Sequence, residues 1–210
     1  MVKDIFESTC SRIICLGVDS LLEPRILQGL LSDGLVKTAV EKNGLIPGEA
    51  SVALLLDTSD RAQERASTHG ATILNTVYKS LSFNLDDEQW RDHAAYTIGR
   101  ELGHAIDDAC RVLDAKPFSG DIYLDLNGEN WRAKAWASAQ IILQQKQLID
   151  WEQSEEIIPG TSVGDIGVTT PLLHMALAIR SFAENYASSR YALIVSVGEV
   201  GDVGVILLEK

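Results

Sequence analysis

Residues 191–208 read YALIVSVGEVGDVGVILL, and the identity of this stretch decides the fold. Two unbroken apolar runs, ALIVSV and VGVILL, flank a short turn made of Gly198, Glu199, Val200, Gly201 and Asp202. Unbroken rather than alternating hydrophobicity marks strands covered on both faces, so the hairpin belongs in the middle of a layered α/β core. Glycine in the turn permits positive φ and lets another backbone, or a ligand, come close. The spacing Gly198-x-x-Gly201-x-x-Gly204 imitates a dinucleotide loop, but that motif needs a helix after its glycines. A second strand follows instead, which argues against phosphate binding.

Outward from the hairpin, the pattern alternates. Leu172–Asn185 reads as the helix before it, and the loop IIPGTSVGDIGVTTP precedes that helix. Further back lie a helix over Trp131–Gln147, an Asn127-Gly128 turn and a strand over Ile122–Leu126. The longest helix spans about Asp86 to Asp114 and opens on the acidic LDDE. Trp90, Ala94, Ile98, Leu102, Ala105, Ala109 and Leu113 make one apolar stripe along it at helical period. Ala71–Ser82 and Ala50–Leu56 read as strands, and Ser59–His69 as a polar surface helix stopped by Gly70. Ser11–Val18 reads as a buried strand ending in GVDS, where Asp19 or Ser20 is placed to cap a helix over Leu21–Leu31. Met1–Cys10 reads as the tail of a helix. Strands and helices in alternation argue α/β layers.

A chain of 210 residues with 46% hydrophobic content buries a sizeable core as one domain, or at most two small ones. Its net charge of −12 repels nucleic-acid phosphates and anionic lipid headgroups, so neither is an expected partner. The cysteines are Cys10, Cys15 and Cys110, an odd number without a CxxC, and Cys15 lies in an apolar run where a small buried thiol is the simplest reading. No secretory leader and no membrane-length apolar window are evident, so a cytoplasmic, reduced protein is expected.

Candidate chemistry is sparse. Gly160-Thr161-Ser162-Val163-Gly164 matches GxSxG, which would make Ser162 a hydrolase nucleophile. That motif needs a strong strand before it and a helix directly after, whereas here the polar EQSEEIIPG precedes it and the next helix begins beyond Pro171. The single downstream histidine, His174, leaves no room for an acid followed by a histidine. Glu101 and His104 offer ExxH, but a di-metal bundle wants two such motifs, and His93, Arg100, His104 and Asp107 fit a solvated face. No metal site and no cofactor is expected. Adjacent acid pairs such as Asp107/Asp108 diverge on a helix and serve solvation.

Four segments, in order, resemble the later part of a β-ketoacyl synthase of the thiolase superfamily. IICLGVDSLL is similar to the buried strand and GGVDS-type loop after that family's nucleophile helix. NGLIPGEASVALLLD stands where the family has DGFVxGEGAGVLVLE, with Gly44, Gly48 and Glu49 in register. GDIGVTTPLLHMALAI matches GHTLGAAGALEAALAI in length, and VSVGEVGDVGVILL is similar to NSFGFGGTNASLVL, with Ser196, Gly198 and Gly201 matching. The resemblance implies one partial thiolase-like domain over residues 1–210, a truncated layered α/β fold made of the second repeat and the end of the first.

The departures are as informative. The resemblance implies that the chain begins within or after the family's nucleophile helix, so the segment bearing the nucleophilic cysteine is not expected in it, and Cys10 sits at the wrong end of the helix to replace it. The family's two histidines polarise the thioester carbonyl and assist decarboxylation; this chain has Asn127 at the first position and Asp165 at the second. An amide such as Asn127 can still donate to an oxyanion, whereas a carboxylate opposes one unless protonated. The gating aromatic of the GFGG turn is Glu199, and the Asn of GGTN is Val203. An acid buried unpaired at the mouth of an acyl tunnel would disfavour an apolar chain by several kcal/mol. The resemblance therefore implies a β-ketoacyl synthase-like protein that is non-catalytic on its own, a subunit or scaffold in fatty-acid or polyketide-type metabolism. Substrate contacts are expected at Ser196, Gly198, Glu199 and Gly201. A homodimer or a separate thiolase-like subunit is the expected partner, and an acyl carrier protein a possible one. Half of a split condensing enzyme, with its cysteine on a partner, and a Ser162 hydrolase are the alternatives.

Overall fold

The computed structural model describes residues 12–58, 60, 70–83, 89–114 and 116–210. The expected helix tail over Met1–Cys10 lies outside these residues, as do all but one residue of the expected helix over Ser59–His69 and the LDDE start of the longest helix. Seven strands are described: β1 (Arg12–Ser20), β2 (Glu49–Asp57), β3 (Thr72–Lys79), β4 (Asp121–Leu124), β5 (Glu155–Ile157), β6 (Tyr191–Val197) and β7 (Val203–Glu209). The helices are α1 (Pro24–Ser32), α2 (Trp90–Ala109), α3 (Asn130–Gln145), the four-residue α4 (Gly160–Val163) and α5 (Thr170–Glu184). Two short 3₁₀ turns follow α2 and precede α5. Among the described residues, no helix is long and apolar enough to cross a membrane.

The C-terminal hairpin is central, as its sequence predicts. One sheet has the order β3-β7-β6-β4-β5, with β6 and β7 antiparallel, β4 parallel to both β6 and β5, and β3 antiparallel to β7. The unbroken apolar runs are needed because the two faces of β6 meet two different layers. Leu193, Val195 and Val197 join the core beneath α2 and α3, while Ala192 and Ile194 join the cluster built on α5. Each such valine, leucine or isoleucine contributes roughly 1.5–3 kcal/mol on burial. Helices α2 and α3 can lie close because Gly99 has no side chain, and a Cβ there would run into the Ala135 carbonyl.

On the far side of α5 lies a second, two-stranded sheet, β1 antiparallel to β2 from Arg12↔Asp57 to Ser20↔Glu49. Leu54 and Leu56 of β2 pack on the same cluster as Met175, Ala178 and Phe182 of α5. The layers thus run α2/α3, five-stranded sheet, α5, β1–β2 ribbon.

Three expectations are corrected. β1 is a strand but only half buried, with Ile14, Leu16 and Val18 pointing outward and exposed. Neither Asp19 nor Ser20 caps α1: Glu23 does, accepting from the Arg25 and Ile26 amides at 2.9 and 3.0 Å. Asp19 instead accepts the Val168 N–H at 3.0 Å, which ties the ribbon to the turn before α5. The polar connector after α3 contains β5, which its composition does not announce.

A saturated polar cluster at the strand ends

The parallel strands β4, β5 and β6 end on one side of the sheet, and the loops leaving them converge there. In open α/β sheets this is where ligands bind. From β4 come Asp125, Asn127 and Glu129; from the segment after β5 comes Asp165; from β6 come Ser196 and Glu199. The two positions singled out by resemblance, 38 residues apart, are in contact: the Asn127 amide donates to Asp165 Oδ2 at 2.7 Å. Its second N–H goes to Glu129 Oε2 at 3.0 Å, and its Oδ1 accepts the Glu129 amide at 3.1 Å. An asparagine amide has two N–H donors. Both are taken by carboxylates, so the oxyanion donor that sequence reasoning allowed at Asn127 is already spent.

Asp165 is fixed from the other side. Its Oδ1 accepts the Gly167 amide at 2.8 Å, and its backbone pairs with the Ile46–Gly48 segment, Gly48 N–H donating to its carbonyl at 2.8 Å. Gly164, at φ 77°, allows this approach, since a Cβ there would lie 2.7 Å from the Ile46 carbonyl. The segments NGLIPGE and GDIG, read separately in the sequence, therefore meet at the cluster.

Arg132, in the first turn of α3, supplies the buried cation of the centre and is missed by sequence reasoning. It is 6% exposed and donates to Asp125 at 3.2 Å, Glu129 at 3.2 Å, Glu199 at 2.5 Å and the Val197 carbonyl at 2.5 Å. Its guanidinium lies over the Trp131 ring, 4.6 Å from the centroid. Burial opposes its charge, but Asp125, Glu199 and Glu129 together outweigh that and push its pKa up. Asp125 also accepts the Val197 amide at 2.6 Å and the Ser196 hydroxyl at 3.2 Å. Burial pushes its carboxyl above the ordinary range, with Arg132 and the Val197 amide pulling the other way.

Glu199 is corrected as well. It is 65% exposed and paired with Arg132 and, at 3.1 Å, with Arg91, so it is not an unpaired acid in an apolar tunnel. Gly198 and Gly201 build the turn, the Gly198 amide donating to the Asp202 carbonyl at 2.7 Å. Gly201 adopts φ 88°, and a Cβ there would sit 2.6 Å from the Phe83 ring.

Beneath the Asn127–Asp165 pair is a cavity of about 10 Å³, lined among others by Asp125, Asn127, Asp165, Thr170 and His174, which is room for one water molecule. His174 is 2% exposed and its Nδ1 has no hydrogen-bond partner. Burial lowers its pKa to about 4, so it is neutral at physiological pH. Ser162 is exposed on α4 and is not among the residues that line this cavity. Glu101 is occupied by Lys79 at 3.8 Å and Arg100 at 3.3 Å.

No family model and no curated protein matches the chain in sequence. Solved structures do match it in shape. A ketosynthase domain of oxazolomycin biosynthesis from Streptomyces albus JA3453 superposes with a TM-score of 0.77 at 14% identity, over 99% of this chain and 43% of that one. The ishigamide ketosynthase/chain length factor gives 0.71 at 15% identity, over 100% and 56%. A type II PKS acyl-carrier protein in complex with its ketosynthase bound to the hexaketide gives 0.64 at 13% identity, over 99% and 54%. The chain spans about half the length of these proteins. Its fold is the thiolase-like fold of the ketosynthases, represented in part.

Proposed function

We propose that this chain is a β-ketoacyl synthase-like protein that does not carry out condensation by itself and acts as a subunit or scaffold in fatty-acid or polyketide-type metabolism. The observation that carries the reading is the saturation of Asn127. Claisen chemistry develops negative charge on a thioester oxygen, and that charge must meet free, aimed donors. At the two positions equivalent to the family's histidines stand an amide with both N–H groups committed and a carboxylate that accepts the Asn127 and Gly167 N–H groups. A carboxylate so placed repels an oxyanion. Arg132 ties Glu129 of this place to Glu199 of the β6–β7 turn, and on this reading Ser196, Gly198, Glu199 and Gly201 are the residues that an acyl group would border.

Partners follow from the same reading: a second copy or a thiolase-like subunit, with an acyl carrier protein as a further candidate. The solved neighbours include one ketosynthase in complex with a carrier protein and one ketosynthase/chain length factor, which supports these partner classes. The protein is placed in the cytoplasm on this reading. The purified chain, incubated with an acyl thioester and a malonyl thioester, is expected to give neither β-keto product nor carbon dioxide above the rate without protein, as followed by mass spectrometry. Product formation by the chain alone would overturn the reading.

A further inference from the structure

The molecule contains two antiparallel ribbons that can be compared strand for strand. In the larger sheet, β6–β7 has a parallel neighbour, β4, beside β6 and an antiparallel neighbour, β3, beside β7. Its face turned away from α5 is covered by the helix pair α2–α3. The β1–β2 ribbon also turns one face to α5, where a Cβ at Gly17 would lie 3.0 Å from Leu172 Cδ1. Among the described residues, however, neither outer edge of this ribbon carries a strand. Its outer face presents Ile14, Leu16 and Val18 at 72, 66 and 66% exposure, and Leu55 stands opposite Ile14 at 45%. Helix α1, next to it in sequence, buries none of its residues.

We propose that this face and these two edges receive a thiolase-like half-fold. It supplies one strand parallel to β1, one strand antiparallel to β2, and a helix pair whose apolar stripe lies on Ile14, Leu16, Val18 and Leu55. The proposal rests on the ketosynthase-like reading above and adds the surface and the shape of what fills it. Two observations select the occupant. The β6–β7 ribbon, made the same way, is finished by those same parts within this chain. The chain also matches only 43 to 56% of the neighbours' length, so the part of their fold that it does not span is about its own size. A second copy fits less well, because its α2 and α3 are already buried on its own sheet. It could lay its own bare ribbon against this one, but that face-to-face contact supplies no neighbouring strand and leaves both ribbon edges unpaired.

The test captures the tagged full chain from the organism that makes it and identifies what comes with it by mass spectrometry, alongside light scattering of the purified chain. Three variants are compared: Leu16→Asp and Leu16→Lys, which alter an outward side chain without emptying the core, and Tyr186→Asp, an exposed control elsewhere. The expected result is a partner carrying a thiolase-like half, with capture reduced at least about tenfold by both Leu16 variants and unchanged by Tyr186→Asp. A thiolase-like partner retained by both Leu16 variants would place the surface elsewhere while leaving the functional reading intact. A partner of another fold would sink both. A homodimer lost on Leu16→Asp, or a monomer with no partner, would overturn the proposed occupant.

Discussion

The two ribbons of this molecule are made alike and finished differently. β6–β7 lies between two helical layers and two strands, and a buried arginine locks its end; β1–β2 touches α5 with one face and solvent with the other. At the turn end of β6, Arg132 binds the Val197 carbonyl and holds Asp125 against the Val197 amide. At the ends of β1 are an Arg12–Asp57 pair at 3.2 Å, its arginine exposed and its carboxylate buried but not dependent on Arg12 alone, and an exposed Ser20–Glu49 hydrogen bond at 2.9 Å. Unbroken hydrophobicity in a strand states that two covering layers are needed, and does not state where the second one comes from.

Substitutions at corresponding places sharpen the contrast. Arg132→Met leaves Asp125 buried without its cation and is expected to destabilise the chain by about 3–5 kcal/mol, whereas Arg12→Met is expected to cost less than about 1 kcal/mol; chemical denaturation of both variants measures the difference. Leu193→Ala empties a site with no exposure and is expected to cost about 2–5 kcal/mol. Leu16→Ala in the other ribbon should stay within about 0.5 kcal/mol by the same assay. Equal losses at Leu193 and Leu16 would break the comparison.

His174 links the layers through α5, and its effect depends on pH. Its folded pKa of about 4 lies below the ordinary 6.5, so the folded state binds the proton more weakly than the unfolded chain. Its stabilising share is complete above pH 6.5 and is lost as pH falls from 6.5 to 4, by on the order of 3 kcal/mol. His174→Phe is expected to flatten the stability profile in that window, measured as denaturation midpoints against pH. A profile identical to the wild type would rule this out.

The parts of this account legible in the sequence are those written in local pattern. The hairpin showed itself by its apolar runs, α2 by its stripe, and the positions Asn127 and Asp165 by motif resemblance. That these two side chains bind each other was not legible, because the contact depends on loops from β4 and β5 reaching the same place. β5 itself, Glu155–Ile157, has three residues and two acids, too short and too polar to read as a strand. One signal for the Arg132 cluster was present: Asp125, Asn127 and Glu129 alternate into a helix start, with Arg132 three residues after Glu129, the spacing of an ion pair on one helix face. His174 gave none, since a lone histidine on an apolar helix face resembles any core position. The exposure of β1 was misread because its sequence describes a strand covered on both sides.

Hydrogen exchange of the isolated chain, resolved by mass spectrometry, tests the inequality of the ribbons most directly. The account predicts that residues 191–197 and 203–209 exchange only through global unfolding, while about half of the amides of residues 12–20 and 49–57, those on unpaired edges, exchange within seconds. Slow exchange of equal depth in both ribbons would contradict it.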